Sequence, residues 1–221
     1  MEWLDKDHNI HQMDTKKEHA LLVGEQTINN DILWTDEPET YSGLPHKLRS
    51  SLIWLYKNVP HAQWFTKVDD DMIVRVGKLA QYLNSSQNDP QQATVVGDII
   101  YKAAVRTDGK WADPNYGRAK YPPWPRGSSG YAVNRFVAKY VTEKNKDLFI
   151  SQGEDTSMGI WMDEAPFSDT VNWVNSTVFN NLKICNDTNY LVIGHDLLSE
   201  EFRICYKGGV ILKKTTSFWT R

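Results

Sequence analysis

Residues 64–74 read WFTKVDDDMIV, an apolar run broken by Asp69, Asp70 and Asp71. Three adjacent carboxylates repel one another unless a cation or a polar ligand compensates them. Trp64, Phe65 and Val68, followed by Met72, Ile73 and Val74, predict a buried strand carrying the acids at its carboxyl end. In open α/β sheets that end is where ligands bind. The alternative is a solvated acidic turn or a helix N-cap, and the apolar residues on both sides argue against a turn. A second acidic pair, Glu154 and Asp155, precedes a helix-like stretch with Met158, Ile160 and Trp161. Asp155 reads equally well as an N-cap. His195 stands alone after the apolar run LVIG, where a hydrogen-bonded core histidine is the ordinary reading. Together, carboxylates and an imidazole suit Mn²⁺, which accepts oxygen and nitrogen donors and can bridge a diphosphate leaving group. Nucleotide-sugar chemistry is therefore a candidate.

The 221 residues fit one α/β unit, with a hydrophobic content of 40% to build its core. A net charge of −3 and the lack of a dense Lys/Arg block argue against nucleic acid or an anionic membrane as the main partner. Nine Trp and ten Tyr are many for such a chain, and exposed aromatic faces are common where sugar rings bind, although core packing explains any single one. Cys185 and Cys205 are the two cysteines, and Asn84, Asn175 and Asn186 head N-x-S/T sequons. Paired cysteines and sequons point to a secretory lumen, where a Cys185–Cys205 disulfide persists; two reduced buried thiols are the alternative. No stretch reaches the roughly 20 apolar residues that span a bilayer, and MEWLDKDHNI lacks a signal-peptide apolar region.

Along the chain, residues 1–20 form a polar segment and 21–221 the main domain. Short strands are expected at His19–Gly24 and Ile32–Trp34, then a loop over Asp36–Thr40. Leu44, Leu48, Leu52, Ile53, Leu55 and Tyr56 predict a helix within Tyr41–Asn58, stopped by Pro60. A helix over Gly77–Leu83 and a strand over Ala93–Tyr101 follow. Residues 106–130 are dense in Gly, Pro and aromatics, which predicts a long functional loop. Tyr131–Lys144 and Thr156–Met162 read as helices, and Tyr190–Ile193 and Val210–Leu212 as strands.

Three ordered segments carry a family resemblance. KVDDDMIV at 67–74, YPPWPRGSSGYAVN at 121–134 and GEDTSMGIW at 153–161 are similar to the K-x-DDD, YPPY-x-x-G-x-GY and ED-V-x-x-G elements of the β-1,3-glycosyltransferases related to Fringe. GEQTINNDIL with ETYSGLPHKL, and LVIGH ending at His195, agree more weakly. The resemblance spans about residues 24 to 196.

It implies a GT-A-type nucleotide-diphospho-sugar transferase fold: α/β, a mixed central sheet flanked by helices, one domain. The family's cytosolic tail, membrane anchor, stem and uracil-gripping first strand are expected to precede this chain. The implied reaction is an inverting, metal-assisted transfer of galactose or N-acetylglucosamine from a UDP-sugar to a hydroxyl of a glycan on protein or lipid, in β-1,3 linkage, in the Golgi lumen. Carried onto these positions, Asp71 and His195 hold Mn²⁺, Asp69 and Asp70 face the ribose or donor sugar, and Asp155 is the general base supported by Glu154. Gly127, Gly130 and Tyr131 lie against substrate. Arg126, Ser128 and Ser129 replace smaller residues of the family, and Thr156 replaces its Val. Two other functional classes remain: a non-catalytic carbohydrate-binding or scaffold protein on a degraded GT-A fold, and a metal-dependent hydrolase.

Overall fold

The computed structural model describes residues 2–4, 10–12, 15–37, 40–85, 91–185, 187 and 189–206. The chain divides into two compact units, Met1–Asp36 and Glu37–Arg221.

In the first unit, β1 (Glu2–Leu4) pairs antiparallel with β2 (Ile10–Gln12), and α1 spans Thr15–Asn29. The expected strand at His19–Gly24 is thus helix, and Ile32–Trp34 is irregular. Leu21, Leu22 and Val23 are exposed within this unit. A short apolar run cannot by itself separate helix from strand, and the Lys, Glu, Gln and Ala around this one favour helix.

The second unit is built on a four-stranded mixed sheet. Its strands are β3 (Trp64–Lys67), β5 (Thr94–Gly97), β8 (Tyr131–Asn134) and β9 (Asn172–Asn175), in the order β3-β8-β5-β9. β8 runs antiparallel to both β3 and β5, and β9 is parallel to β5. Two smaller sheets flank it. β4 (Ile73–Val74), β10 (Phe179–Asn180) and β11 (Val192–Ile193) make one, in the order β10-β11-β4, and β6 (Ile99–Ile100) pairs with β7 (Trp124–Pro125) in the other.

Every residue of β5 and β8 is buried, as strands covered on both faces require. Their side chains alternate between two cores, as a strand period of two dictates. Phe65, Val95, Tyr131 and Val133 join one cluster with Leu52, Val137, Met158 and Trp161. Val96 and Ala132 join the other, with Met72, Leu79, Phe179 and Val192. The first cluster is closed by α2 (Leu44–Asn58), α4 (Arg135–Lys144) and α5 (Glu154–Asp163); the second by α3 (Val76–Leu83). A further helix, α6, spans Ser199–Tyr206.

The region expected as one helix over Tyr131–Lys144 is a strand followed by a helix, and Asn134 makes the switch. Its side-chain oxygen accepts from the backbone N–H of Val137, capping α4, and also from that of Thr94 on the neighbouring strand. The aspartate triplet, against the sequence argument, does occupy a turn, because the apolar run is two short strands of different sheets. The expected Val210–Leu212 strand lies outside the described residues.

Arg75, between β4 and α3, fastens the C-terminal loop. Its guanidinium donates to the carbonyls of Asp187 (2.7 Å), Tyr190 (2.8 Å) and Cys185 (2.7 Å). Cys185 is joined to Cys205, with Cα atoms 5.2 Å apart. Hydrogen bonds from a charged donor are worth about 1.5–3 kcal/mol each, and orphaned carbonyls add a penalty. Arg75→Met should therefore lower unfolding free energy by about 2–4 kcal/mol in urea denaturation. An unchanged midpoint would show that the loop does not depend on this arginine.

Candidate active site

Three elements deliver the chemistry to one end of the main sheet. β3 runs into Asp69, Asp70 and Asp71; α5 begins at Glu154 and Asp155; and the segment after β11 returns His195. Asp71 is the anchor of that return. Its carboxylate accepts from the backbone N–H of Asp196 at 2.7 Å, and its carbonyl from that of Leu197 at 3.3 Å. Gly194, at φ +89°, makes the reversal, and a Cβ there would lie 2.6 Å from Leu197.

Asp69, Asp71 and His195 each offer a ligand atom within 4.8 Å of the others. His195 Nδ1 lies 3.5 Å from Asp71 Oδ2 and 3.9 Å from Asp69 Oδ2. Asp71 Oδ1 and His195 Nδ1 are buried and have no hydrogen-bond partner among the described residues. Buried polar atoms are ordinarily satisfied, so two converging orphans with lone pairs fit a divalent cation. Asp69, expected only on the donor side, is therefore also a candidate ligand. Asp70 is exposed and forms no hydrogen bond or ion pair among the described residues.

Lys67 links the two acidic groups. Its ammonium lies 2.7 Å from Asp69 and 2.9 Å from Glu154, and donates to the Gly127 carbonyl at 3.4 Å. Burial pushes its pKa down, but the Glu154 charge and the Asp69 hydrogen bond outweigh this, so it stays protonated. The sequence reading singled out the acids around this lysine, not the lysine. Its partner Glu154 is 87 positions away and is found only by folding.

Asp155 lies beside Glu154 in the first turn of α5, where Gly153 provides no side-chain cap. Burial pushes its carboxyl up, the Glu154 charge adds to this, and the N–H groups of Gly127 (3.0 Å) and Thr156 (2.8 Å) pull it down. The result is a pKa of about 6, against an ordinary 3.8. A carboxyl poised near neutrality suits a general base. The N-cap of α5 is Gly153, so the N-cap reading of Asp155 does not hold; its carboxylate accepts from the Thr156 N–H inside the first turn and remains titratable.

Gly127 has a reason inside the chain. A Cβ there would lie 2.5 Å from Glu154 Oε1 and 3.0 Å from Asp155 Oδ2, so any side chain would displace both acids. Gly130 packs against the Lys67 carbonyl and Val68. Tyr131 is fully buried with an unpartnered hydroxyl, and burial raises its pKa well above the usual phenol value. It lines a cavity of about 270 Å³ whose polar wall includes Lys67, Asp69 and Glu154, and whose apolar wall includes Leu48, Leu52 and Phe65. Among the sequons, Asn84 is exposed after α3, Asn175 ends β9 with its side-chain oxygen accepting from the Ile99 N–H, and Asn186 lies outside the described residues.

Buried Asp113 also escaped the sequence reading. Its carboxylate accepts from Tyr121 (3.0 Å), Ser151 and the Gln152 N–H, fastening the aromatic loop to the residues that lead into α5.

The raised Asp155 pKa has a stability consequence. Its neutral form is favoured in the fold, so the contribution is full below about pH 4 and is lost as pH rises through about 6. Asp155→Asn should therefore gain stability relative to the parent between pH 4 and 7 in urea denaturation. A pH-independent difference would contradict the shift.

The sequence profile of the family described as "Galactosyltransferase" matches residues 11–170. Over 153 residues the chain is 31% identical to "UDP-GalNAc:beta-1,3-N-acetylgalactosaminyltransferase 2" of Xenopus tropicalis, covering 69% of this chain and 31% of that protein. The human protein of the same name is 30% identical over 159 residues, covering 72% and 30%. Human "N-acetyllactosaminide beta-1,3-N-acetylglucosaminyltransferase 4" is 29% identical over 144 residues, covering 63% and 37%. The chain thus spans about a third of the length of these relatives. Asp69, Asp71, Glu154 and Asp155 lie inside the matched region, and the mixed sheet flanked by helices is consistent with a GT-A-type domain. The chain belongs to the galactosyltransferase family of β-1,3-glycosyltransferases.

Proposed function

We propose that this domain transfers a hexose from a UDP-sugar to a hydroxyl of a glycan on protein or lipid, in β-1,3 linkage with inversion and with Mn²⁺ as the metal. The observation that carries the reading is the convergence of the orphaned Asp71 and His195 atoms with an Asp155 carboxyl of pKa about 6. The names of the relatives support galactose, N-acetylglucosamine or N-acetylgalactosamine as the donor sugar. A Golgi lumen setting is supported by the joined Cys185 and Cys205 and by exposed Asn84. Among the described residues no helix is long and apolar enough to cross a membrane.

In this reading Asp69, Asp71 and His195 hold the cation, which would neutralise charge on the departing diphosphate. Asp155 takes the proton of the acceptor hydroxyl as its oxygen bonds to the anomeric carbon, and the bond to UDP breaks with its electron pair leaving on the phosphate. Lys67 holds the Glu154 side chain in place beside Asp155. Asp70 and Tyr131 lie on the donor side.

UDP release from UDP-galactose, UDP-N-acetylglucosamine and UDP-N-acetylgalactosamine, with and without Mn²⁺, tests the proposal. Metal-dependent release with at least one donor is expected, rising with pH through an inflection near 6. Asp155→Asn should lower it by about 10²–10⁴-fold while UDP still binds. Asp71→Ala should abolish both Mn²⁺ and UDP binding. Undiminished UDP binding in that variant would contradict the assignment, and a folded parent inert with all three donors would favour a non-catalytic carbohydrate-binding role.

A further inference from the structure

The aromatic loop is only partly used by the acidic site at the end of β3. Tyr116 and Tyr121 stack inside it, while Trp111 faces outward. The Trp111 indole N–H donates to the hydroxyl of Tyr41 at 3.2 Å, joining the loop to the residues that lead into α2. The two side chains stay 44% and 48% exposed, an unusual cost for a tryptophan with a tyrosine beside it.

Two cations rest on this pair. Arg106 lies 5.0 Å from the centre of the Trp111 ring, and Lys110 lies 4.5 Å from that of Tyr41 and 5.6 Å from that of Trp111. Neither pairs with a carboxylate among the described residues. Residues 101–120 carry Lys102, Arg106, Lys110, Arg118 and Lys120 against Asp108 and Asp113, in a chain of net charge −3. Asp113 is buried and Arg118 is held by Asp163, so the exposed loop surface is basic where the whole protein is acidic.

The patch is fixed relative to the base. The Gln152 side chain donates to the Lys110 carbonyl at 2.8 Å, and the Gln152 N–H faces the Asp113 carboxylate at 3.4 Å. Asp113 in turn returns its own N–H to the Arg106 carbonyl at 3.0 Å. Gln152 stands three residues before Asp155. The loop cannot shift without pulling on the segment that begins α5.

We propose that Tyr41 and Trp111, with Arg106 and Lys110, form the acceptor-side subsite for an anionic saccharide, a pyranose bearing a carboxylate or a sulfate ester. The inference rests on the transferase reading above. The apolar C–H face of a pyranose lies against an aromatic ring, and the two cations supply charge-assisted hydrogen bonds to its anionic group. A neutral saccharide would use the rings and leave both cations idle.

Isothermal titration of the intact chain with three probes tests this: a hyaluronan tetrasaccharide, a sulfated keratan disaccharide and neutral chitotetraose. At least one anionic probe should bind more than tenfold tighter than chitotetraose. Trp111→Ala should weaken it more than tenfold, and Arg106→Ser with Lys110→Ser should erase the preference. The carboxylate and sulfate arms identify which anion is selected. UDP with Mn²⁺ is titrated into each variant alongside. Equal binding of neutral and anionic probes, or binding indifferent to Trp111→Ala, with UDP affinity intact, would overturn the subsite and leave the transferase reading standing. Failure of the parent chain to bind UDP would instead remove the reading on which the acceptor role depends. A hexaglutamate peptide bound as tightly as the saccharides would show that charge alone attracts, which also overturns the proposal.

Discussion

Crowded carboxylate is the constraint on which this domain is organised. Asp69, Asp71, Glu154 and Asp155 converge from two parts of the chain, and among the described residues Lys67 is the cation that pairs with them. One ammonium cannot compensate four carboxylates, and burial makes the deficit worse. The structure answers in three ways. Lys67 bridges Asp69 and Glu154, backbone N–H groups of Gly127, Thr156 and Asp196 turn toward the acids, and Asp155 keeps its proton up to about pH 6. The Asp71 and His195 atoms that remain unpartnered mark where a further positive charge belongs.

The same charge balance ties the packing to the chemistry. β3 and β8 are fully paired, so Lys67 is held opposite Tyr131 in a fixed register. Tyr131 is followed by the β8 residues that anchor both cores, and preceded by Gly127 and Gly130, which admit Glu154 and Lys67 at close range. α5 is buried through Met158, Ile160, Trp161 and Met162, and so offers its first turn as a rigid mount for Glu154 and Asp155. Lys67, Glu154 and Asp155 therefore sit on regular elements, while Asp69, Asp71 and His195 lie on the turn after β3 and the segment after β11.

Much of the site was legible in the sequence, because its parts are local. KVDDDMIV, YPPWPRGSSGY and GEDTSMGIW each announce themselves through clustered acids or glycines, and the helices over 44–58, 76–83 and 154–163 follow their apolar spacing. Non-local partnerships were not legible. Nothing near Lys67 names Glu154, nothing near Asp113 names Ser151, and nothing near Trp111 names Tyr41. Asn134 misled for a different reason, since one side chain serves a strand neighbour and a helix cap at once. The helix over 15–29 was missed because its few apolar residues are consecutive, a pattern that fits strand and helix alike.

The central claim is that Asp69, Asp71 and His195 form a cation site at the end of β3. Pulsed electron paramagnetic resonance of Mn²⁺ bound to protein with ¹⁵N-labelled histidine tests it directly. The account predicts a nitrogen coupling that vanishes in His195→Gln. Mn²⁺ that shows no histidine nitrogen, or a coupling that survives that substitution, would contradict it.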